Sequence, residues 1–339
     1  FLDPPAPENF TNHGSGSGFT GRLDTEPSDR DRLRFYFHHK RSGFQVPNEL
    51  FQQAAGQRQD RGTRESLGQA SYQRTLSAKW LFDARLMARD VDARLWSNPL
   101  ATPILASQDR GFRELYLNSS AATTQGRHSI KFGAESVLTS ARELFAYRIA
   151  DPSFFEDEFP LSFRFQGRRR GNEQSAYIQD TIRLGNLTVN AGLRWDRYRL
   201  LVTEAAISPR LGVGYYLPKT RTLLRASYDR IFTTPAIENL LLASSPAAQS
   251  LTDETSGLPV RPSRGNYFEA GFSQAIFSRL RMDASWYLRR LRNYGDDEVF
   301  LNTGVSFPIA FQRARVRGYE VKLEVPSWGR FSGFASYSN

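Results

Sequence analysis

The sequence predicts an all-β fold: an antiparallel transmembrane β-barrel, with short periplasmic turns and long extracellular loops, of which the chain holds about fourteen strands. Three observations predict it. Apolar and polar residues alternate with period two over long runs, which gives each run one oily and one polar face. The connections between runs are alternately short and long. No window supplies the ~20 consecutive apolar residues of a spanning helix, although 13% of the 339 residues are aromatic.

In chain order, Leu33, Phe35 and Phe37 alternate with Arg34, Tyr36 and His38 after a turn at 27–31. Residues 79–96 fit two periods. Trp80, Phe82, Ala84, Leu86 and Ala88 alternate, while Leu81, Ala84, Met87, Val91 and Leu95 make a helical stripe. The neighbouring strands favour a strand there. Alternation is plainest where Leu187, Val189, Ala191, Leu193 and Trp195 interleave with Thr188, Asn190, Gly192, Arg194 and Asp196. It recurs as Leu224, Ala226 and Tyr228 against Arg225, Ser227 and Asp229. Met282, Ala284, Trp286 and Leu288 are set against Arg281, Asp283, Ser285 and Arg289, and Tyr319, Val321, Leu323 and Val325 against Glu320, Lys322 and Glu324. Residues 334–339 read as a strand interrupted in progress, and both chain ends read as cuts.

The fourteen runs pair as seven hairpins with turns at 27–31, 76–78, 124–128, 185–186, 218–220, 278–279 and 326–329. Between hairpins lie 42–65, 97–109, 150–171, 233–264 and 294–306, all polar or Pro-rich, and one brief link at 203–206. This asymmetry suits a bilayer. No water is available there to an unpaired amide, so a sheet must close, and strands of ~10 residues tilted ~40° cover an apolar band of roughly 25 Å. A soluble sandwich or propeller would have strands of ~5–6 residues and turns every ~8–12 residues, against about 24 residues per strand here. Charges such as Arg225, Asp229, Asp283 and Arg289 would be poor neighbours in a dry core. A wet lumen accepts them.

Composition narrows the function. The absence of cysteine excludes disulfides, thiolate nucleophiles and Cys-ligated metals. The net charge of +10 is spread along the chain, and only Arg168, Arg169 and Arg170 form a compact run, so the footprint of a nucleic-acid binder is missing. The four histidines, His13, His38, His39 and His128, form no zinc-protease motif, and no nucleophile elbow is present. His38 and His39 point to opposite faces of one strand. The Gly14-Ser15-Gly16-Ser17-Gly18 run lacks the flanking strand and helix of a dinucleotide loop and reads as linker or loop. No catalytic residue, cofactor or metal site is expected.

Five segments then resemble the barrel of TonB-dependent outer-membrane receptors. They are Ala176-Tyr177-Ile178-Gln179-Asp180-Thr181, Asn190-Ala191-Gly192-Leu193-Arg194-Trp195-Asp196 and Ile207-Ser208-Pro209-Arg210-Leu211-Gly212. Leu224-Arg225-Ala226-Ser227-Tyr228-Asp229-Arg230-Ile231-Phe232 with Thr234-Pro235, and Val316-Arg317-Gly318-Tyr319-Glu320-Val321, complete the set. The resemblance implies a 22-stranded barrel with a plugged lumen, which at this spacing needs roughly 530 residues, so the chain would hold about two thirds of one. It implies a missing plug and missing C-terminal strands, an outer-membrane location, and coupling through the plug to the TonB-ExbB-ExbD complex. It further implies import of a scarce, bulky ligand such as an iron chelate, cobalamin or a glycan.

Ligand capture is expected in the outward loops. Phe154, Phe155, Glu156, Asp157, Glu158 and Phe159 mix aromatics with carboxylates, and Phe163, Phe165 and the Arg168, Arg169, Arg170 run follow. Aromatics would stack on a sugar or chelate face while charges select its polarity. The alternative is that the acidic and basic runs pair with each other or hold lipopolysaccharide cations and phosphates. Residues 233–264 read as a folding flap. Arg194, Asp196, Arg225, Asp229, Asp283 and Arg289 are expected to line the lumen, to contact plug or solute, or to stiffen the wall as cross-strand charge pairs. A passive porin or structural barrel, a barrel enzyme and a soluble β-protein are the competing readings. An upstream plug, a His-Ser or His-Asp rim cluster, and detergent partitioning would separate them.

Overall fold

A computed structural model describes residues 13–46, 54, 58–99, 101–155, 160–246, 260–277, 279–299 and 306–339. The fourteen strands are β1 (Gly14–Ser28), β2 (Asp31–Gln45), β3 (Gln59–Ser77), β4 (Trp80–Ser97), β5 (Ile104–Gln125), β6 (His128–Ile149) and β7 (Ser162–Leu184), then β8 (Leu187–Arg199), β9 (Thr203–Leu217), β10 (Thr222–Thr233), β11 (Ser263–Ile276), β12 (Leu280–Val299), β13 (Ser306–Trp328) and β14 (Phe331–Ser338). They form one sheet in sequence order, each strand antiparallel to its neighbours. β1 and β14 are its edges.

The alternation of short and long connections is present as expected. Two to four residues separate the strands of each hairpin, with glycines at positive φ in three turns (Gly126, Gly185 and Gly329) where a Cβ would be strained. The segment with two competing periods is strand, β4. Four loops are shorter than the sequence suggested: β2 runs on to Gln45 and β3 starts at Gln59, β5 already starts at Ile104, β7 at Ser162, and β12 runs on to Val299. Strand pairing is held by backbone hydrogen bonds, so the ladder continues upward after side-chain alternation has faded.

The register sorts side chains onto two faces. Tyr177, Arg194 and Ser208 lie in one rank, and Ile178, Leu193 and Pro209 in the adjacent rank on the opposite face. Large apolar side chains stand exposed on the second, outer face: Leu117, Leu138, Ile178, Leu193, Ile207 and Trp286 are each 46–55% exposed. A continuous apolar surface of this kind calls for an apolar surrounding.

The buried core sits on the other, inner face, near the end with the long connections. There residues 234–246 fold back onto the sheet and form a one-turn helix, α1 (Leu240–Ala243), whose four residues are all buried. Leu240, Leu242 and Val260 pack with Leu95, Ile104, Phe145 and Tyr147. Phe163 stacks on Tyr147 at 5.9 Å between centroids and meets Phe145 at 6.1 Å. A helix that is apolar all round needs such cover on every side.

Candidate functional site

The inner face carries two zones. At the long-connection end, α1 is held by hydrogen bonds as well as packing. Asn239 precedes it in the left-handed conformation, which Asn tolerates better than most residues, and its side-chain Oδ1 accepts a 2.6 Å hydrogen bond from the Gln108 side-chain amide on β5. The Glu143 carboxylate on β6 accepts from the backbone N–H groups of Leu241 (3.1 Å) and Leu242 (2.8 Å). These amides have no partner within a one-turn helix, so the carboxylate satisfies donors that burial would otherwise orphan.

Below this roof the inner face is polar. Arg194 of β8 donates to Asp196 (2.7 Å), to Ser175 (2.8 Å) and to Glu135 two strands away (3.2 Å). A cavity of about 500 Å³ opens beside them, lined by Lys131, Glu135, Tyr177, Asn190, Arg194 and Asp229 among others. Farther along, Arg225 lies 3.6 Å from Glu269 and donates to Ser273 (3.0 Å), which in turn donates to Asp283. The Tyr267 hydroxyl donates to Glu269 (2.7 Å), and the Arg289 guanidinium covers the Tyr267 ring at 4.9 Å. Arg210 and Asp229 are 3.8 Å apart. Together these groups make a polar wall of alternating charge that can bind a polar solute at many points. Among the described residues, no three His, Asp or Glu side chains gather as a metal site.

The register thus sets Arg194, Asp196, Arg225, Asp229, Asp283 and Arg289 on the one face that also bears α1. The aromatic and arginine constellation is not brought together in the same way. Phe154 lies in a 3-10 turn (Pro152–Phe154) and is 52% exposed, whereas Phe155, Phe163 and Phe165 pack under the roof. The Ser153 hydroxyl and amide donate to Asp151 at the start of that turn and hold its carboxyl below the usual range. Glu156, Asp157, Glu158 and Phe159 lie outside the described residues.

Arg168, Arg169 and Arg170 correct the sequence reading: they are not in a loop but on β7. Alternation sends Arg169 to the inner face and Arg168 and Arg170 to the outer one, where they border a 370 Å³ cleft with Arg64, Arg113, Arg142 and Asp92. Asp92 accepts from both Arg64 and Arg142, Arg142 also donates to Asp109 (2.6 Å), and Arg113 lies 2.6 Å from Asp90. Sequence reasoning missed Glu135, Glu143, Tyr177 and Glu269. The parity of Ala141, Glu143, Phe145 and Tyr147 marks Glu143 as inward, but nothing local foretells its partner in α1.

The chain matches the family model described as TonB dependent receptor-like, beta-barrel, over residues 5–339. No curated protein matches it. Solved structures of similar fold include the copper transporter OprC (TM-score 0.72, 13% identity, covering 96% of this chain and 52% of that one). The ferric citrate transporter FecA in its unliganded form aligns with TM-score 0.70 at 16% identity, over 97% of this chain and 51% of that one. The ferric yersiniabactin uptake receptor FyuA from Yersinia pestis gives TM-score 0.67 at 13% identity, over 96% and 52%. At these identities the likeness is one of fold, and the chain spans about half the length of each structure.

Proposed function

This chain belongs to the TonB-dependent receptor β-barrel family, and from that premise we propose that it forms part of the wall of an outer-membrane importer. The outer face would meet hydrocarbon and the inner face a hydrated lumen. Cargo would be captured from outside and admitted when the TonB-ExbB-ExbD complex acts on a plug housed within the complete barrel. The cargo class is a scarce, bulky, polar ligand such as an iron chelate, cobalamin or a glycan, and the wall binds it without covalent chemistry.

One observation carries this reading: a polar, multiply charged inner face roofed by a folded segment of the 234–262 connection, opposite an outer face of exposed Leu, Ile and Trp. Hydrophobic surface is stable outside only in lipid, and charge is stable inside only with water. The roof favours gated capture over the passive porin reading, because α1 and its packing partners fill space that an open channel would leave to solvent.

The test is uptake by a strain deleted for the gene, supplied with candidate iron and carbon sources at limiting concentration. Accumulation that requires both the gene and the energy-coupling complex supports the importer. Accumulation that requires the gene and persists without the coupling complex would identify a passive channel.

A further inference from the structure

On β12 and β13 the outer face climbs from apolar residues to arginines. Starting at the short-turn end, β12 presents Leu280, Met282, Ala284, Trp286 and Leu288, then Arg290 and Arg292. In the same ranks β13 presents Leu323, Val321 and Tyr319, then Arg317, Arg315 and Arg313. Arg290 is directly opposite Arg315, and Arg292 directly opposite Arg313. All five arginines are exposed. Like charges facing each other across an antiparallel pair destabilise it. Among the described residues no carboxylate relieves them: the ion pairs of these strands, Arg281–Asp283 (2.9 Å) and Lys322–Glu324 (3.2 Å), lie on the inner face. The outer-face arginines around Asp92 are different, because Asp90, Asp92 and Asp109 neutralise most of them.

We propose that Arg290, Arg292, Arg313, Arg315 and Arg317 form a docking site for the phosphorylated headgroup of an outer-leaflet lipid. This rests on the outer-membrane barrel reading. Trp286 and Tyr319, directly opposite each other, lie near the top of the apolar band as interfacial aromatics do, with Leu288 the last apolar residue of β12 below the arginines; Arg290 stands four residues above Trp286 on the strand, about 10 Å along the membrane normal. That is headgroup depth on the long-connection side. A guanidinium matches a phosphate bidentately and stays charged at any physiological pH, so five of them with no acid partner select phosphate over a zwitterionic headgroup. Their lateral position favours lipid, since a protein partner would have to displace the bilayer to reach them.

The test reconstitutes the full-length protein into phosphatidylcholine vesicles containing either bisphosphorylated lipid A or its dephosphorylated form. Lipid retained per protein is counted by native mass spectrometry, and protease resistance of the strands reports insertion. Wild-type protein is expected to retain the phosphorylated form selectively. Arg290→Gln with Arg315→Gln should reduce retention by about twenty-five-fold, at roughly fivefold for each arginine near an anionic surface, and the paired Lys substitutions should recover part of it. In detergent without lipid A, the Gln pair should melt higher than wild type, because the repulsion is gone. Equal retention of the two lipid forms, or by wild type and the Gln pair, with insertion intact overturns this inference alone. Displacement of lipid A by millimolar inorganic phosphate would make the site a free-anion site and overturns it too. Failure of the protein to insert overturns the barrel reading and this inference with it.

Discussion

Glu143 and Leu242 are 99 residues apart in the chain, and the Leu242 amide donates to the Glu143 carboxylate over 2.8 Å. This contact and its twin from Leu241 tie the longest connection of the sheet to the inner face of β6. Glu143→Ala leaves two buried donors without a partner, a cost of about 2–3 kcal/mol to the local fold. Hydrogen exchange at the Leu241 and Leu242 amides is expected to accelerate ~30–100-fold, while strand amides keep their protection. Unchanged exchange at those two positions would mean that packing alone holds α1.

Leu193 and Arg194 are neighbours that point to opposite faces, the first 49% exposed among apolar side chains and the second bonded to Glu135, Ser175 and Asp196. If the outer face meets hydrocarbon, Leu193→Arg costs ~2–4 kcal/mol at mid-membrane. Arg194→Gln, which keeps a donor among its partners, should cost about 1 kcal/mol. Refolding titrations in lipid vesicles compare the two. Equal costs would contradict the assignment of faces.

Period-two patterning located every hairpin because outer-face ranks such as Ile178, Leu193 and Ile207 are apolar against a polar inner face, and turns such as Gly185-Asn186 have their own chemistry. The pattern weakens where strands rise beyond the apolar band and both faces turn polar. That is why residues 162–171 read as loop, and why the opposite directions of Arg168 and Arg169 were missed. The inner-face charges were legible by parity on β8, β10 and β12. Their partners were not, since Arg194 reaches Glu135 across 59 residues and α1 reaches Glu143 across 98. Such pairings depend on sheet register and loop return, and neither is written in local sequence.

The Arg194–Glu135 pair is partly buried, at 29% and 25% side-chain exposure, so its coupling should survive some solvent screening. A double-mutant cycle is expected to give about 0.5–1.5 kcal/mol of favourable coupling. Arg194→Ala alone should cost more than its share of that, because Glu135 and Asp196 then face the same space without a cation. Coupling below ~0.3 kcal/mol, read from chemical unfolding in detergent, would mean the two groups act independently.

Gly133 of β6 sits where the sheet is crowded from the inside. A Cβ there would come within 2.7 Å of the Ser119 carbonyl oxygen and 2.9 Å of the Tyr177 hydroxyl. The hydroxyl can swing away, but the carbonyl belongs to the β5 ladder and cannot move without loosening the β5–β6 pairing. Gly68 of β3 offers the contrast, since nothing lies within 4 Å of its added Cβ. Gly133→Ala is therefore expected to cost about 1–3 kcal/mol through overpacking, whereas Gly68→Ala should be neutral or stabilise by up to ~1 kcal/mol through lost chain entropy. Paired thermal melts of the two variants in one detergent test this. A Gly133→Ala protein as stable as Gly68→Ala would show that β5 and β6 are not packed as closely as their register implies.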